Sequence, residues 1–161
     1  MINIAIIDDD KTFCDDFKEQ IKKIDNSYNT DCYYNINTFL ESVSSYNIAI
    51  IDIMLGKDNG IDIASAITEK YPNIKIIFIS VEQDFFQDVY SVNHLYFLVK
   101  PISNKQLKQA LSVCCSEINK QTLYTKLGSG TTAVNLNDVS YFEGILKKTI
   151  VHYVNAPKQT L

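Results

Sequence analysis

A chain of 161 residues with 46% hydrophobic and 21% charged side chains holds one globular domain of ordinary size with about forty residues to spare. That excludes a disordered tail and a multidomain enzyme. Its net charge of −4 is unevenly spread: residues 1–120 carry −6 and residues 121–161 carry +2, a split that suits two parts with different partners. No apolar run approaches the roughly 20 residues of a membrane helix, and Met1-Ile2-Asn3 carries no basic leader, so neither a membrane span nor a signal peptide is expected and the predicted location is cytoplasmic. The four cysteines include the adjacent pair Cys114-Cys115 but no C-x-x-C spacing, and read as small buried hydrophobes and not as a zinc site or disulfide framework.

Short apolar runs alternate with helical patterns through the first 120 residues, the signature of parallel βαβ units. Asn3–Ile7 is a predicted strand. A helix follows from Lys11 to Asp25, with Phe13, Phe17, Ile21 and Ile24 at spacings of three and four and Asp10 as its N-cap. Asp31–Asn35 reads as a second strand and Thr38–Ser45 as a short helix. Ile48–Ile53 is apolar on both faces, as a central parallel strand must be. Gly60 opens the helix Ile61–Lys70, which Pro72 stops. Ile74–Ile79 is a fourth strand, Asp84–Val92 a weak helix, Leu95–Val99 a fifth strand and Ser103–Lys120 a closing helix. Five such units make an α/β, flavodoxin-like (βα)5 fold with parallel strand order 2-1-3-4-5 the natural architecture. Ligands of such sheets sit beyond the carboxyl ends of the strands.

Those ends carry Asp8-Asp9-Asp10, Asp52, Ser80 and Lys100-Pro101, so carboxylates, a hydroxyl and an ammonium are expected to surround one crevice. Crowded carboxylates repel unless a cation sits among them, and a hard divalent metal such as Mg²⁺ suits such an oxygen site. An aspartate beside Mg²⁺ and a lysine can hold a phosphoryl group, because the cations neutralise its oxygens. Each residue has a plainer alternative. Asp8 and Asp9 can be solvated loop acids, Asp52 a turn residue, Ser80-Val81-Glu82-Gln83 a capping box, and Lys100 an exposed strand end. The plain readings have to hold at all four strand ends together.

The segments IAIIDDD (4–10), IIDIMLGKDNG (50–60), IIFIS (76–80) and FLVKP (97–101) resemble, in order and spacing, the receiver domain of two-component response regulators. The resemblance covers residues 1–120. It implies that Asp52 accepts a phosphoryl group from a sensor histidine kinase, that Asp8, Asp9, Asp52 and the backbone carbonyl of Met54 hold Mg²⁺, and that Lys100 and Ser80 contact the phosphoryl group. It further implies a cis Lys100–Pro101 bond and a switch in which Ser80 moves and Phe97 turns inward. The expected output is pairing of two copies through the face built from the fourth helix, fifth strand and closing helix. Gly56 and Val81 depart from the family pattern, which commonly has proline and alanine there.

After Lys120 the pattern changes to short strands: Leu123–Leu127, Thr132–Leu136, Val139–Phe142 and Thr149–Val154. The segment TTAVNLNDVSYFEGILKKTIVHYVN is similar to the opening of a LytTR-type DNA-binding domain. That resemblance implies domains at 1–120 and 121–161, the second an incomplete effector, with Lys147 and Lys148 in its first DNA-contacting loop. Two lysines neutralise phosphates but specify no sequence, so weak or no DNA binding is expected of this segment. The expected whole is a non-enzymatic response regulator that controls transcription. A stand-alone receiver acting by protein contact is the alternative. A haloacid dehalogenase-like phosphohydrolase, with Asp8 as nucleophile in Asp8-Asp9-Asp10-Lys11-Thr12, is the rival from another class. It leaves Asp52 idle.

Overall fold

A computed structural model describes every residue except 83, 84, 86–88, 90, 91, 121, 128, 129, 146, 147, 155–158 and 161. The chain divides into two compact units, Met1–Cys115 and Ser116–Leu161.

In the first unit, strands β1 (Asn3–Ile7), β2 (Asn29–Tyr33), β3 (Ile48–Asp52), β6 (Lys75–Ser80) and β7 (Tyr96–Val99) form one sheet in the order β2-β1-β3-β6-β7. Every neighbouring pair is parallel. With the two-residue strands β4 (Met54–Leu55) and β5 (Asp58–Asn59) set aside as a small antiparallel pair, this is the expected flavodoxin-like order 2-1-3-4-5. The central strands are rich in isoleucine because both faces are covered, and Ile4, Ile6, Ile7, Ile48, Ile50 and Ile51 are fully buried. Each contributes about 1.5–3 kcal/mol relative to an exposed position.

Helix α1 (Lys11–Ile24) buries Cys14, Phe17 and Ile21. It starts where the Asp10 carboxylate accepts the Phe13 N–H at 3.0 Å, and Lys22 and Lys23 complement its carboxyl-terminal dipole. Helix α3 (Gly60–Lys70) is capped by Asn59, and helix α4 (Asn104–Lys120) opens on a reciprocal Ser103–Gln106 capping box. The second strand and the helix after it differ from expectation. The second strand ends at Tyr33 because the Asn35 side chain takes the Asn37 N–H at 2.8 Å and starts α2 (Ile36–Leu40) early; a separate 3-10 turn then spans Val43–Ser45. The predicted helix at Asp84–Val92 falls mostly outside the described residues. Of the cysteines, Cys14 and Cys114 are buried, whereas Cys32 and Cys115 are only half-buried; all four are free thiols.

The second unit is β-rich. Strands β8 (Thr122–Leu127) and β9 (Gly130–Asn135) form an antiparallel hairpin. After a 3-10 turn at Leu136–Asp138, β10 (Val139–Ile145), β11 (Lys148–Tyr153) and β12 (Gln159–Thr160) make a three-stranded antiparallel sheet. No helix among the described residues is long and apolar enough to cross a membrane.

Candidate functional site

A parallel sheet sends all its carboxyl ends to one edge, and here that edge carries charge. Asp8 follows β1, Asp52 ends β3, Ser80 ends β6 and Lys100 follows β7. The backbone keeps them level: the Asp8 N–H donates to the Tyr33 carbonyl at 3.0 Å, and the Lys100 N–H to the Ser80 carbonyl at 2.8 Å. The Lys100–Pro101 peptide is cis.

The Lys100 ammonium bridges two carboxylates, lying 2.6 Å from Asp8 Oδ2 and 2.6 Å from Asp52 Oδ2. Each acid also accepts a backbone N–H on its other oxygen, Asp8 from Asp10 at 2.9 Å and Asp52 from Met54 at 3.0 Å. The side chains of Asp8, Asp52 and Lys100 are 1%, 9% and 13% exposed, so this is a buried ion triad. Burial holds the Asp8 carboxyl above the usual carboxylate range, and the Asp52 charge adds to that, against the hydrogen bonds from Lys100 and the Asp10 N–H. Burial pulls the Lys100 ammonium down, but its hydrogen bonds to Asp52 and Asp8 and their charges outweigh it, leaving it above the ordinary lysine value. The two acids therefore demand a cation between them.

Glycine is required at two places around the site. A Cβ on Gly60 would lie 2.1 Å from the Asp52 carbonyl oxygen, so only glycine lets α3 start against that backbone. Gly56 has φ near 60°, in the left-handed region, and turns the β4–β5 connection. A cavity of about 210 Å³ opens beside this connection, with Phe85 on one wall.

The other expected residues are placed differently. Asp9 is exposed, with its carboxylate beside Gly56, and forms no part of the Lys100 bridge. Among the described residues, no three histidine, cysteine, aspartate or glutamate side chains are gathered as a metal cluster. Ser80 is fully buried, and its hydroxyl accepts the Glu82 N–H at 3.1 Å, a turn-capping contact. Phe97 is half-buried, opposite Phe78 in the sheet and packed against the core. The Met54 side chain is exposed. Lys147 lies outside the described residues, and Lys148 opens β11 opposite Ile145.

One contact was not anticipated. The Phe13 ring, read in the sequence as part of the apolar stripe of α1, lies 4.1 Å from the Lys100 ammonium. Its position one turn after three consecutive aspartates was the available signal.

The response regulator receiver domain model matches residues 4–112. This chain belongs to the response regulator receiver family. The chain is 25% identical over 116 residues to the sensory transduction protein LytT of Bacillus cereus, a match that takes in 69% of this chain and 46% of that relative. The corresponding protein of Bacillus anthracis is 24% identical over the same length. The chain thus spans about half the length of the curated relatives it matches. Among solved structures, the response regulator TrrA of Thermotoga maritima in complex with Mg(2+)-BeF superposes with a TM-score of 0.63 at 23% identity, covering 71% of this chain and 99% of that one. The chemotaxis response regulator CheY4 of Vibrio cholerae superposes with a TM-score of 0.62 at 18% identity, covering 71% and 98%. These likenesses establish the flavodoxin-like receiver fold.

Proposed function

We propose that Asp52 is the phosphoacceptor of a two-component response regulator, charged by a sensor histidine kinase. The observation that carries this reading is the buried Lys100 bridge between Asp8 and Asp52, which holds a carboxylate and an ammonium together at the carboxyl edge of the sheet. In the reaction an Asp52 oxygen attacks the phosphorus atom, the bond to the kinase histidine nitrogen breaks, and an acyl phosphate forms. Lys100 leaves the Asp52 oxygen and pairs with the phosphoryl group. Ser80, whose hydroxyl now accepts the Glu82 N–H, donates instead to a phosphoryl oxygen, and Phe97 turns into the space this frees.

The donor set fits Mg²⁺. Asp8 and Asp52 offer hard oxygens already converging on a cation, the exposed Asp9 flanks them, and Mg²⁺ ordinarily takes one or two carboxylates and keeps its waters. Asp8, Asp9, Asp52 and the Met54 carbonyl would hold it. When bound, the metal neutralises charge on the phosphoryl oxygens.

The output follows the LytT relatives and the LytTR-like pattern after Lys120. We assign residues 1–120 to the receiver and 121–161 to part of a LytTR-type effector that meets DNA when complete, with Lys147 and Lys148 as phosphate contacts too few to bind tightly by themselves. Phosphorylation drives pairing of two copies through the surface that carries β7 and α4, in the cytoplasm.

The test is intact-mass spectrometry after incubation with a small acyl phosphate and Mg²⁺. Wild-type chain gains one phosphoryl group and Asp52→Asn gains none. Labelling that persists in Asp52→Asn and disappears in Asp8→Asn would replace this reading with a hydrolase using Asp8. The placement of Asp10 speaks against that outcome, because its carboxylate is engaged as the cap of α1.

A further inference from the structure

We infer that Phe13 is a positioning residue for Lys100, holding the ammonium over the acidic site through a cation–π contact; the inference rests on the phosphoacceptor reading of that site. The Nζ atom lies 4.1 Å from the ring centroid, well inside the roughly 6 Å reach of such contacts. An ammonium has three N–H donors. Two are spoken for by Asp8 and Asp52, each at 2.6 Å, and the ring face meets the same cation.

The ring is itself fixed from two sides. Its backbone N–H is held by the Asp10 carboxylate at 3.0 Å, which sets the first turn of α1. Its face stacks on the buried Phe17, with centroids 5.0 Å apart and planes 23° apart. Asp10 and Phe17 thus hand the position of α1 to the charge of Lys100. A ring offers the ammonium attraction without a strong hydrogen-bond acceptor. It therefore keeps Lys100 poised at the edge while leaving its N–H groups free to exchange Asp52 for an incoming phosphoryl oxygen. A third carboxylate in that place would trap the lysine instead. The site is largely dry, with Lys100 13% exposed, which strengthens an electrostatic contact of this kind.

The test uses the full chain and Mg²⁺ with beryllofluoride as the phosphoryl mimic, read by calorimetry. Phe13→Leu keeps apolar bulk and removes the ring face. It should weaken beryllofluoride binding about fivefold, the change that a cation–π contact of about 1 kcal/mol gives, and Phe13→Tyr should restore it. Phenylalanines carrying one, two and three ring fluorines at position 13 keep the shape and drain the ring's negative face, so affinity should fall with each fluorine. Proton NMR supplies a readout independent of loading: the Lys100 ε-methylene protons should be shifted upfield by the ring and return to ordinary values in Phe13→Leu. A flat fluorine series, or unshifted lysine protons in the wild type, overturns the inference and leaves the phosphoacceptor reading standing. Wild-type chain that neither binds beryllofluoride nor accepts a phosphoryl group overturns both.

Discussion

The two units of this chain differ in where they bury charge and in how fully their sheets are covered. In Met1–Cys115 a nearly continuous isoleucine sheet is sealed by helices, and the charged groups Asp8, Asp52 and Lys100 are drawn inside its edge. In Ser116–Leu161 the large apolar side chains Tyr124, Tyr141, Phe142 and Val154 are exposed, and the polar residue His152 is buried. The His152 imidazole is stacked under Tyr141 at 4.0 Å and bonded to the Glu143 carboxylate at 2.8 Å. The difference teaches what a covered sheet makes possible. Burying a charge costs several kcal/mol, which a unit can tolerate only where a large packed core and a partner charge offset it. The receiver has both, and uses them to keep two acids poised against one lysine.

Removing that lysine is the strongest way to break the comparison. Lys100→Met leaves two buried carboxylates facing each other without a cation, and breaking a buried pair from one side costs about 3–5 kcal/mol. Urea unfolding of the variant at neutral pH should show a loss of this order. Its pH dependence has a defined sign. Without Lys100 the acids lose the contact that opposes their desolvation, so Asp8 rises further above its unfolded value. A carboxyl raised on folding contributes stability at low pH that is lost as pH rises through its folded value, so the deficit should narrow toward acid pH. The wild type behaves in the complementary way at the alkaline end. Its raised lysine contributes stability below the ordinary lysine value, and this disappears as pH climbs through the folded one. Lys100→Met should show no such alkaline loss.

Neutralising Asp8 sharpens the point with a smaller effect of the opposite direction. Burial, the largest influence on this carboxyl, outweighs its bonds to Lys100 and to the Asp10 N–H, so the ionised acid lowers stability relative to a neutral group at pH 7. Asp8→Asn should therefore melt higher than wild type by scanning calorimetry. A fall would mean that the Lys100 pairing dominates desolvation and that the acids stabilise the edge they occupy.

What was legible in the sequence follows the same division. The strand ends of the receiver were readable because each candidate side chain stands directly beyond an apolar run, and a parallel sheet gathers those ends without further information. Asp8, Asp52 and Lys100 meet as that logic requires. Asp9 and the Ser80 hydroxyl reach the same edge, but Asp9 stands beside Gly56 and Ser80 is engaged with the Glu82 N–H. Local hydrogen-bond choices of this kind leave no trace in periodicity. Asn35 likewise moved a strand end and a helix start by capping a turn early. Phe13 escaped because helical spacing says which residues share a face and nothing about which charge arrives from another strand. In the tail, alternation located strands, while which faces are covered depends on packing partners that the pattern does not name.

The smallest expected effect belongs to the exposed face of the second unit. Phe142 sits in β10 opposite the fully buried Val151, yet is itself 44% exposed. Replacing it with serine removes little packed area, and surface substitutions of this kind usually change stability by no more than about 0.5 kcal/mol. Equilibrium unfolding of Phe142→Ser should therefore overlay on wild type. A loss of stability as large as that of Lys100→Met would mean that Phe142 is held in packing as tight as the receiver core. The opposition between a sealed unit and an open one would then dissolve. Unchanged stability would keep it, because a side chain that can be cut back without cost is one the second unit leaves unpacked, where the first unit leaves none in its sheet.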